Sequence, residues 1–248
     1  MKVTNKFPMD WVDLQDKVCK FLNEAGYKAE SPKTIETVRG KVEVDVFVTS
    51  EMELIKQFIC ECKFWNTPVP KEKIHAFRSV VNDSGSMLGI FISKTGYQSG
   101  AYEAAYCSNV LLKDWEGFLD LIANQWIDRR LKYIKLLSQP LSVYLDPLDV
   151  DYNGLSEKGK EQYKQLQIKS MTAYQQCYKL NRKLLKAEII EVGEEKFEAI
   201  DELFDYMEEI IKSATDEFKE LFKDSPIEEY KLNSRGYVLA ELLRDYDI

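Results

Sequence analysis

One strand-like stretch of the sequence ends in an acid and a base that could act together. It is the segment Phe58–Lys63, which is apolar until it presents Glu61 and Lys63. Side chains alternate between the two faces of a strand, so Glu61 and Lys63 point the same way. A second strand-like run, Val42–Val48, carries Asp45, and a turn-like segment lies between the two runs. The runs therefore predict a hairpin that brings Asp45 beside Glu61 and Lys63.

Two carboxylates and a lysine at one place favour a particular chemistry. Carboxylate oxygens are the ligands that Mg²⁺ prefers, and a lysine nearby could act on a water molecule that attacks a substrate. The structural alternative is a partly buried ion pair between Lys63 and either Asp45 or Glu61. Spacing alone does not separate these two interpretations.

The number and spacing of the cysteines disfavour a zinc site and disulfide bonds. There are five, an odd number scattered along the chain, and Cys60 and Cys62 have no second pair with which to form a zinc site. We expect most of them to be small buried hydrophobic residues.

Composition indicates a folded, soluble protein. Of the 248 residues, 45% are hydrophobic and 31% are charged, enough for a substantial core. No run is apolar enough to span a membrane, and the first residues lack the apolar segment of a signal peptide. We therefore expect a cytoplasmic protein that does not bind membranes.

Charge is distributed unevenly between the two halves of the chain. The formal net charge is −8. The first 113 residues carry 15 Lys and Arg against 14 Asp and Glu, a charge of +1, and the remainder carries 19 against 28, a charge of −9. The half that holds the candidate site is thus the one more compatible with a nucleic acid.

The first half alternates between helical and strand patterns. Its order is a helix, three strands, a helix, a strand, a helix and a final strand, which predicts a mixed sheet flanked by helices, an α/β (α+β) fold. The predicted segments are a helix at Asp10–Gly26, an irregular strand at Tyr27–Ile35, the two strands of the hairpin, a helix at Lys71–Asn82, a strand at Met87–Ser93, a helix from Gly96 to Ala105 and a strand at Asn109–Leu112.

The second half is predicted to be helical. A long helix follows Lys113, two prolines and several turn residues mark a linker at 138–154, and helices are expected at Glu157–Lys186, Glu194–Asp224 and about Ser234–Tyr246. We expect a first domain at 1–137 and a helical hairpin or bundle at 155–248. The Glu194–Asp224 helix has an apolar seam from Phe197 to Leu221, whose other faces are acidic. We favour packing of this seam on the preceding helix over a surface for self-association.

With these residues aligned, the first half resembles the PD-(D/E)xK restriction-endonuclease-like superfamily, and in particular its Mrr-type predicted restriction endonucleases. The resemblance spans roughly Asp10 to Leu119. It rests on Arg39–Val46, Cys60–Lys63, Val80–Gly85, Gly89–Ser93, Gly96–Ala101 and Ala104–Ala105. Two departures stand out, since Gln15 occupies the first-helix position where many relatives have Glu, and Val44 replaces the proline before Asp45.

The resemblance implies an α-β-β-β-α-β core that cleaves phosphodiester bonds with Mg²⁺, for which Mn²⁺ could substitute. In that interpretation Asp45 and Glu61 hold the ion, the Cys62 backbone carbonyl supplies a third oxygen, and Lys63 orients the attacking water. It also implies a DNA endonuclease that serves a restriction or antiviral defence system. The alternatives are a catalytically silent nucleic-acid-binding or scaffold module and an RNA-directed nuclease. Control by a homo-oligomer or by a regulatory or sensor protein bound to the acidic helices is a hypothesis from family analogy.

Other residues near the candidate site are weaker candidates. Trp65 could stack on a base, although a loop anchor packed on the core is the favoured interpretation. Glu43 and His75 are expected to be solvated or to fill space. Residues that could hold the nucleic-acid backbone are Arg39, Lys41, Lys71, Lys73, Arg78, Lys94 and Gln98.

Overall fold

A computed structural model describes residues 2–51 and 55–228 of the chain. These residues form two compact units. The first, which we call the N-terminal unit, is Lys6–Arg129, and the second, the helical unit, consists of residues 2–5 and 130–228. The domain boundaries at 137 and 155 expected from the sequence stay a prediction. The helix expected at about Ser234–Tyr246 lies outside the described residues.

The N-terminal unit is built on a mixed sheet. Its helices are α1 (Trp11–Glu24), α2 (Lys71–Asp83), α3 (Ser99–Ala105) and the first part of α4 (Trp115–Leu137). Its strands are β1 (Lys28–Glu30), β2 (Lys33–Thr37), β3 (Gly40–Val44), β4 (Val46–Thr49), β5 (Gln57–Lys63), β6 (Leu88–Ser93) and β7 (Val110–Lys113).

Strand order confirms the predicted fold class. Among the described residues, the main sheet has the order β1-β4-β5-β6-β7, and β2 and β3 form a separate hairpin. Neighbours β1, β4 and β5 run antiparallel, which includes the predicted hairpin of β4 and β5. Strands β5, β6 and β7 run parallel and are joined by α2 and α3. Parallel neighbours require such crossover helices, and together the elements give the expected α-β-β-β-α-β core.

Two predicted strands are each divided in the structure. The segment expected at Tyr27–Ile35 becomes β1 and β2, which belong to different sheets. The run Val42–Val48 breaks at Asp45, so that β3 pairs with β2 while β4 pairs with β5. Hydrophobic alternation predicts a strand but does not show where its partner changes, and both differences have this origin.

The two faces of the sheet have different cores. Alternate residues of β5 and β6, such as Ile59 and Phe91, pack with Phe77 and Val81 of α2. Helix α2 lies so close to β6 that a Cβ on Gly89 would come within 2.7 Å of Phe77 and closer still to Val81. Cys60 and Cys62 have the opposite parity and are fully buried on the face that α1 covers. The side chains of Glu61 and Lys63 therefore lie on the same face of the sheet as α2.

The helical unit contains a β-hairpin in addition to its helices. Its elements are the end of α4, α5 (Gln139–Tyr144), α6 (Glu157–Lys179), a 3-10 turn (Leu184–Lys186), β8 (Ile190–Val192), β9 (Glu195–Phe197) and α7 (Ile200–Leu221). Helix α6 ends earlier than the expected Lys186, and α7 begins later than the expected Glu194. A hairpin occupies the intervening chain and turns at Gly193, whose φ of +64° favours glycine. The expected linker at 138–154 includes the short helix α5.

The apolar seam of α7 is used inside the helical unit. Its residues Phe204, Met207, Ile211 and Phe218 are fully buried, and α7 packs against α5 and α6. Tyr144 of α5 stacks on Phe218 with ring centroids 5.4 Å apart. The favoured interpretation of the seam, packing on the preceding helix, is confirmed.

A buried arginine anchors the polar side of α7. Arg130 is 6% exposed and donates to Glu208 Oε2 at 2.9 Å and to Asp205 Oδ1 at 3.3 Å. Burial raises the pKa of Glu208, but hydrogen bonds from Lys212, Arg130 and Tyr133 outweigh burial and bring it below its ordinary value. The folded state therefore favours the charged form of Glu208.

We predict that Glu208→Gln lowers the free energy of unfolding of the helical unit by about 2 kcal/mol at pH 7, because Arg130 loses the nearer of its two charged acceptors. The depressed pKa stabilises the folded state above the pKa of the unfolded carboxyl, and this contribution disappears as pH falls through the folded pKa. Urea unfolding at several pH values should show the variant and wild type converge in acid. Glu209→Gln, at an exposed position on the same helix, serves as the control. A difference that persists undiminished in acid would contradict the prediction.

Candidate active site

Asp45 occupies the break between β3 and β4. Its Oδ2 accepts a hydrogen bond from the Cys62 backbone N–H at 2.7 Å. In the antiparallel register Val46 faces Cys60, so a continuing strand would place Val44 opposite Cys62. The Asp45 carboxylate takes the place of that ladder partner, and its position is fixed by the backbone of β5.

Glu61 and Lys63 meet Asp45 at the end of β5, as the alternation of the strand predicts. Lys63 Nζ lies 3.7 Å from Asp45 Oδ2 and forms an ion pair with Glu61 Oε1. The three side chains are only 14–23% exposed. The structure thus brings together all three residues proposed for catalysis.

The charged groups of this cluster shift one another's pKa values. Burial raises the pKa of Glu61, and the charge of Asp45 raises it further, while Lys63 and Lys73 act in the opposite direction. Burial lowers the pKa of Lys63, but Glu61 and Asp45 outweigh it and the pKa lies above its ordinary value. The folded state therefore favours the protonated form of Lys63, which faces two carboxyl groups, one more than a simple ion pair needs.

The available donors fit a hard divalent cation. They are the carboxylates of Asp45 and Glu61 and the Cys62 carbonyl, all oxygens. Burial raises the pKa of both Cys60 and Cys62 thiols, which disfavours the thiolates that a soft metal requires. Within the described residues no three His, Cys, Asp or Glu side chains gather as a metal site. A cation here would need main-chain and water oxygens as well, as Mg²⁺ commonly does.

Trp11 is a contributor that sequence reasoning missed. Trp11 is the first residue of α1 and is 48% exposed. Its indole Nε1–H donates to the Cys62 carbonyl at 3.2 Å, the oxygen expected to bind a metal. The sequence carries no signal for this contact, because an exposed indole N–H can equally donate to water.

Gln15, Glu43 and His75 lie in different environments. Gln15 is 4% exposed, and its Nε2 has no hydrogen-bond partner among the described residues. Glu43 on β3 and His75 on α2 are both exposed, in agreement with the modest roles expected for them.

The residues suggested for nucleic-acid contacts fall into two groups. Arg39 pairs with Asp83, Lys41 with Glu36, and Arg78 donates to the Ala104 carbonyl. Three others, Lys71, Lys73 and Lys94, border the loop that follows Lys63. Gln98 precedes α3, and its backbone N–H already donates to the Val69 carbonyl. Their contacts with nucleic acid stay predictions.

Comparison with known proteins agrees with the geometry. Residues 8–122 match the Mrr catalytic family model, which is described as restriction endonuclease. No curated protein matches the chain. One solved structure, titled "Crystal Structure of Protein of Unknown Function AF1548", is 14% identical and covers 84% of this chain and 98% of its own, with a TM-score of 0.39. That similarity is too low to add to the assignment. The match over residues 8–122, which contain the break at Asp45 and the Glu61–Lys63 strand end, is consistent with the Mrr-type restriction-endonuclease-like superfamily.

Proposed function

We propose that the protein is a Mg²⁺-dependent endonuclease that hydrolyses phosphodiester bonds of DNA. The observation that carries this proposal is the convergence of Asp45, Glu61 and Lys63 at the end of β5, in a domain of this family. The surplus carboxylate supports the same conclusion, since it favours a cation over an isolated ion pair.

The residues of the site would divide the work as follows. Asp45, Glu61 and the Cys62 carbonyl would hold Mg²⁺, or Mn²⁺ in its place. A bound divalent ion supplies neutralisation of phosphate charge and lowers the pKa of a bound water. Protonated Lys63 donates hydrogen bonds, either to the attacking water or to a phosphate oxygen that gains charge.

Two backbone groups of Cys62 support these side chains. Its N–H fixes the Asp45 carboxylate at 2.7 Å. Its carbonyl is held by the indole of Trp11, which leaves a second lone pair of the same oxygen for a cation. Catalytic groups held in this way need little rearrangement before reaction.

The biological setting is a further part of the proposal. The restriction description of the family supports an effector of a restriction or antiviral defence system. The acidic outer face of α7 would contact a second copy of the chain or a regulatory protein, since its apolar face is already buried inside the helical unit. Light scattering on the full chain measures self-association directly. None of the described helices is long and apolar enough to cross a membrane.

We predict that Asp45→Asn and Lys63→Ala each reduce cleavage of supercoiled plasmid by at least about 100-fold while the protein still folds, because the first removes a metal ligand and the second removes the ammonium group that donates to the attacking water or the phosphate. Nicking and linearisation are followed on gels with Mg²⁺, with Mn²⁺ and with EDTA, and circular dichroism checks folding. Glu43→Gln, an exposed acid two residues before Asp45, should cleave at the wild-type rate.

The same assay separates the competing functions. Cleavage of RNA but not of DNA with the same sequence would favour the RNA-directed alternative. Absence of cleavage of either substrate would favour the silent binding or scaffold module. Full activity in Asp45→Asn or Lys63→Ala would refute the assignment of the site.

We predict that Trp11→Phe weakens Mn²⁺ binding by about tenfold, because the ring is kept while the hydrogen bond that orients the Cys62 carbonyl is lost. Electron paramagnetic resonance of free Mn²⁺ measures the affinity without any cleavage. Tyr106→Phe, at an exposed aromatic residue of the same unit, is the control. Equal or tighter binding by Trp11→Phe would show that the indole does not support a metal ligand.

A further inference from the structure

The loop that follows Lys63 is held in place along its length. Thr95 Oγ1 donates to the Thr67 carbonyl at 2.8 Å. Val69 donates its backbone N–H to the Gly96 carbonyl at 3.0 Å and accepts from the N–H of Gln98 at 3.0 Å. These bonds tie the loop at 64–70 to the segment after β6, so its side chains are presented from a fixed backbone.

Trp65 is presented to solvent by this loop. It was expected to be an anchor packed on the core, and the structure contradicts that interpretation because the side chain is 37% exposed. Val69, in the same loop, is fully buried and serves as the anchor instead. A large aromatic side chain two residues after Lys63 is therefore partly accessible to a ligand.

Two lysines lie against the aromatic residues of this loop. Lys73 Nζ lies 5.8 Å from the centroid of the Trp65 ring, and Lys94 Nζ lies 4.3 Å from that of Phe64. Lys94 also donates to the Asn66 side chain at 2.9 Å. Lys73 forms no salt bridge within the described part of the chain, and its charge reaches the Glu61 carboxylate. The Lys73 ammonium group, the Trp65 ring and the candidate active site thus lie next to one another.

We propose that Trp65 and Lys73 form a subsite for single-stranded DNA, in which an unpaired nucleobase stacks on the indole and the neighbouring phosphate contacts the ammonium group. Aromatic rings beside cations are the usual means of binding unpaired strands, because every base has a face that can stack. This inference rests on the proposed nuclease function and adds the form of its substrate.

The location of the subsite determines which substrates the enzyme prefers. Trp65 follows Lys63 by two residues, so a base stacked there flanks the phosphate at Asp45 and Glu61. Bases inside an intact duplex are covered by their neighbours and cannot stack on a protein ring. The enzyme therefore acts best where a strand is already open, at a frayed end, a flap or an unwound segment.

The test measures DNA binding by the full chain in EDTA, so that no cleavage takes place. The probes are fluorescein-labelled oligothymidylate of about 12 nucleotides and an abasic strand of equal length, read by anisotropy. Wild type should bind oligothymidylate about tenfold more tightly than the abasic strand, and Trp65→Ala should bind both equally. Trp65→Phe, which keeps an aromatic face, should recover most of the preference.

Replacement of Lys73 is expected to change the salt dependence of DNA binding. Lys73→Ala should weaken binding of both probes and reduce the slope of log affinity against log salt by about 0.7, the value for one phosphate contact on a single strand. Trp65→Ala should leave that slope unchanged. The matched controls are Tyr106→Ala, an exposed aromatic residue, and Lys20→Ala, an exposed lysine on α1.

The results distinguish failure of the subsite from failure of the nuclease. The subsite would be overturned if Trp65→Ala kept the preference for bases, or if Lys73→Ala left the salt slope unchanged. In either case the substituted side chain would not contact DNA as proposed. Base-dependent binding without any cleavage in Mg²⁺ would support the subsite and refute the nuclease. Cleavage by a protein that shows no base preference would refute the subsite and keep the nuclease.

Discussion

The hydrogen bond from the Cys62 N–H to the Asp45 carboxylate is the contact on which the candidate active site depends. It forms where the β4–β5 ladder stops, after the pair of Val46 with Cys60. The N–H and C=O of one strand residue point to the same side, so both groups of Cys62 face the missing partner. Asp45 takes the N–H, and Trp11 takes the carbonyl. An interrupted sheet thus supplies the main-chain groups that hold the site.

This arrangement brings the charged side chains of the site together. The side chains of Glu61 and Lys63 lie on the opposite face of β5 from the Cys62 side chain. The break between β3 and β4 places Asp45 beside them. Burial should penalise every one of these charges, and the ammonium group of Lys63 compensates for only one of the two acids. A bound divalent cation would compensate for the remaining acid. A cluster of this kind is costly for folding and useful for binding a metal.

Much of the site could be predicted from residue types and the two-residue period of strands. That period places Glu61 and Lys63 together, and a hairpin brings in Asp45. The strand break at Asp45 could not be read from the sequence, because Val42–Val48 alternates without interruption and only pairing partners distinguish β3 from β4. The contact of Trp11 and the exposure of Trp65 could not be read from the sequence either, since hydrophobic character alone does not show that an indole has a polar partner or is exposed. The helix predicted at Glu194–Asp224 included β9, because Phe197 continues the apolar seam of α7 at helical spacing.

The most direct measurement is the number of Mn²⁺ ions bound by wild type and by Asp45→Asn, determined by electron paramagnetic resonance at pH 7 in the absence of DNA. If the interrupted strand creates a metal site, wild type binds Mn²⁺ at this site and the variant, which keeps the shape of the side chain but not its charge, loses that binding. Equal binding by the two proteins would contradict the conclusion that Asp45, Glu61 and the Cys62 carbonyl form one metal centre.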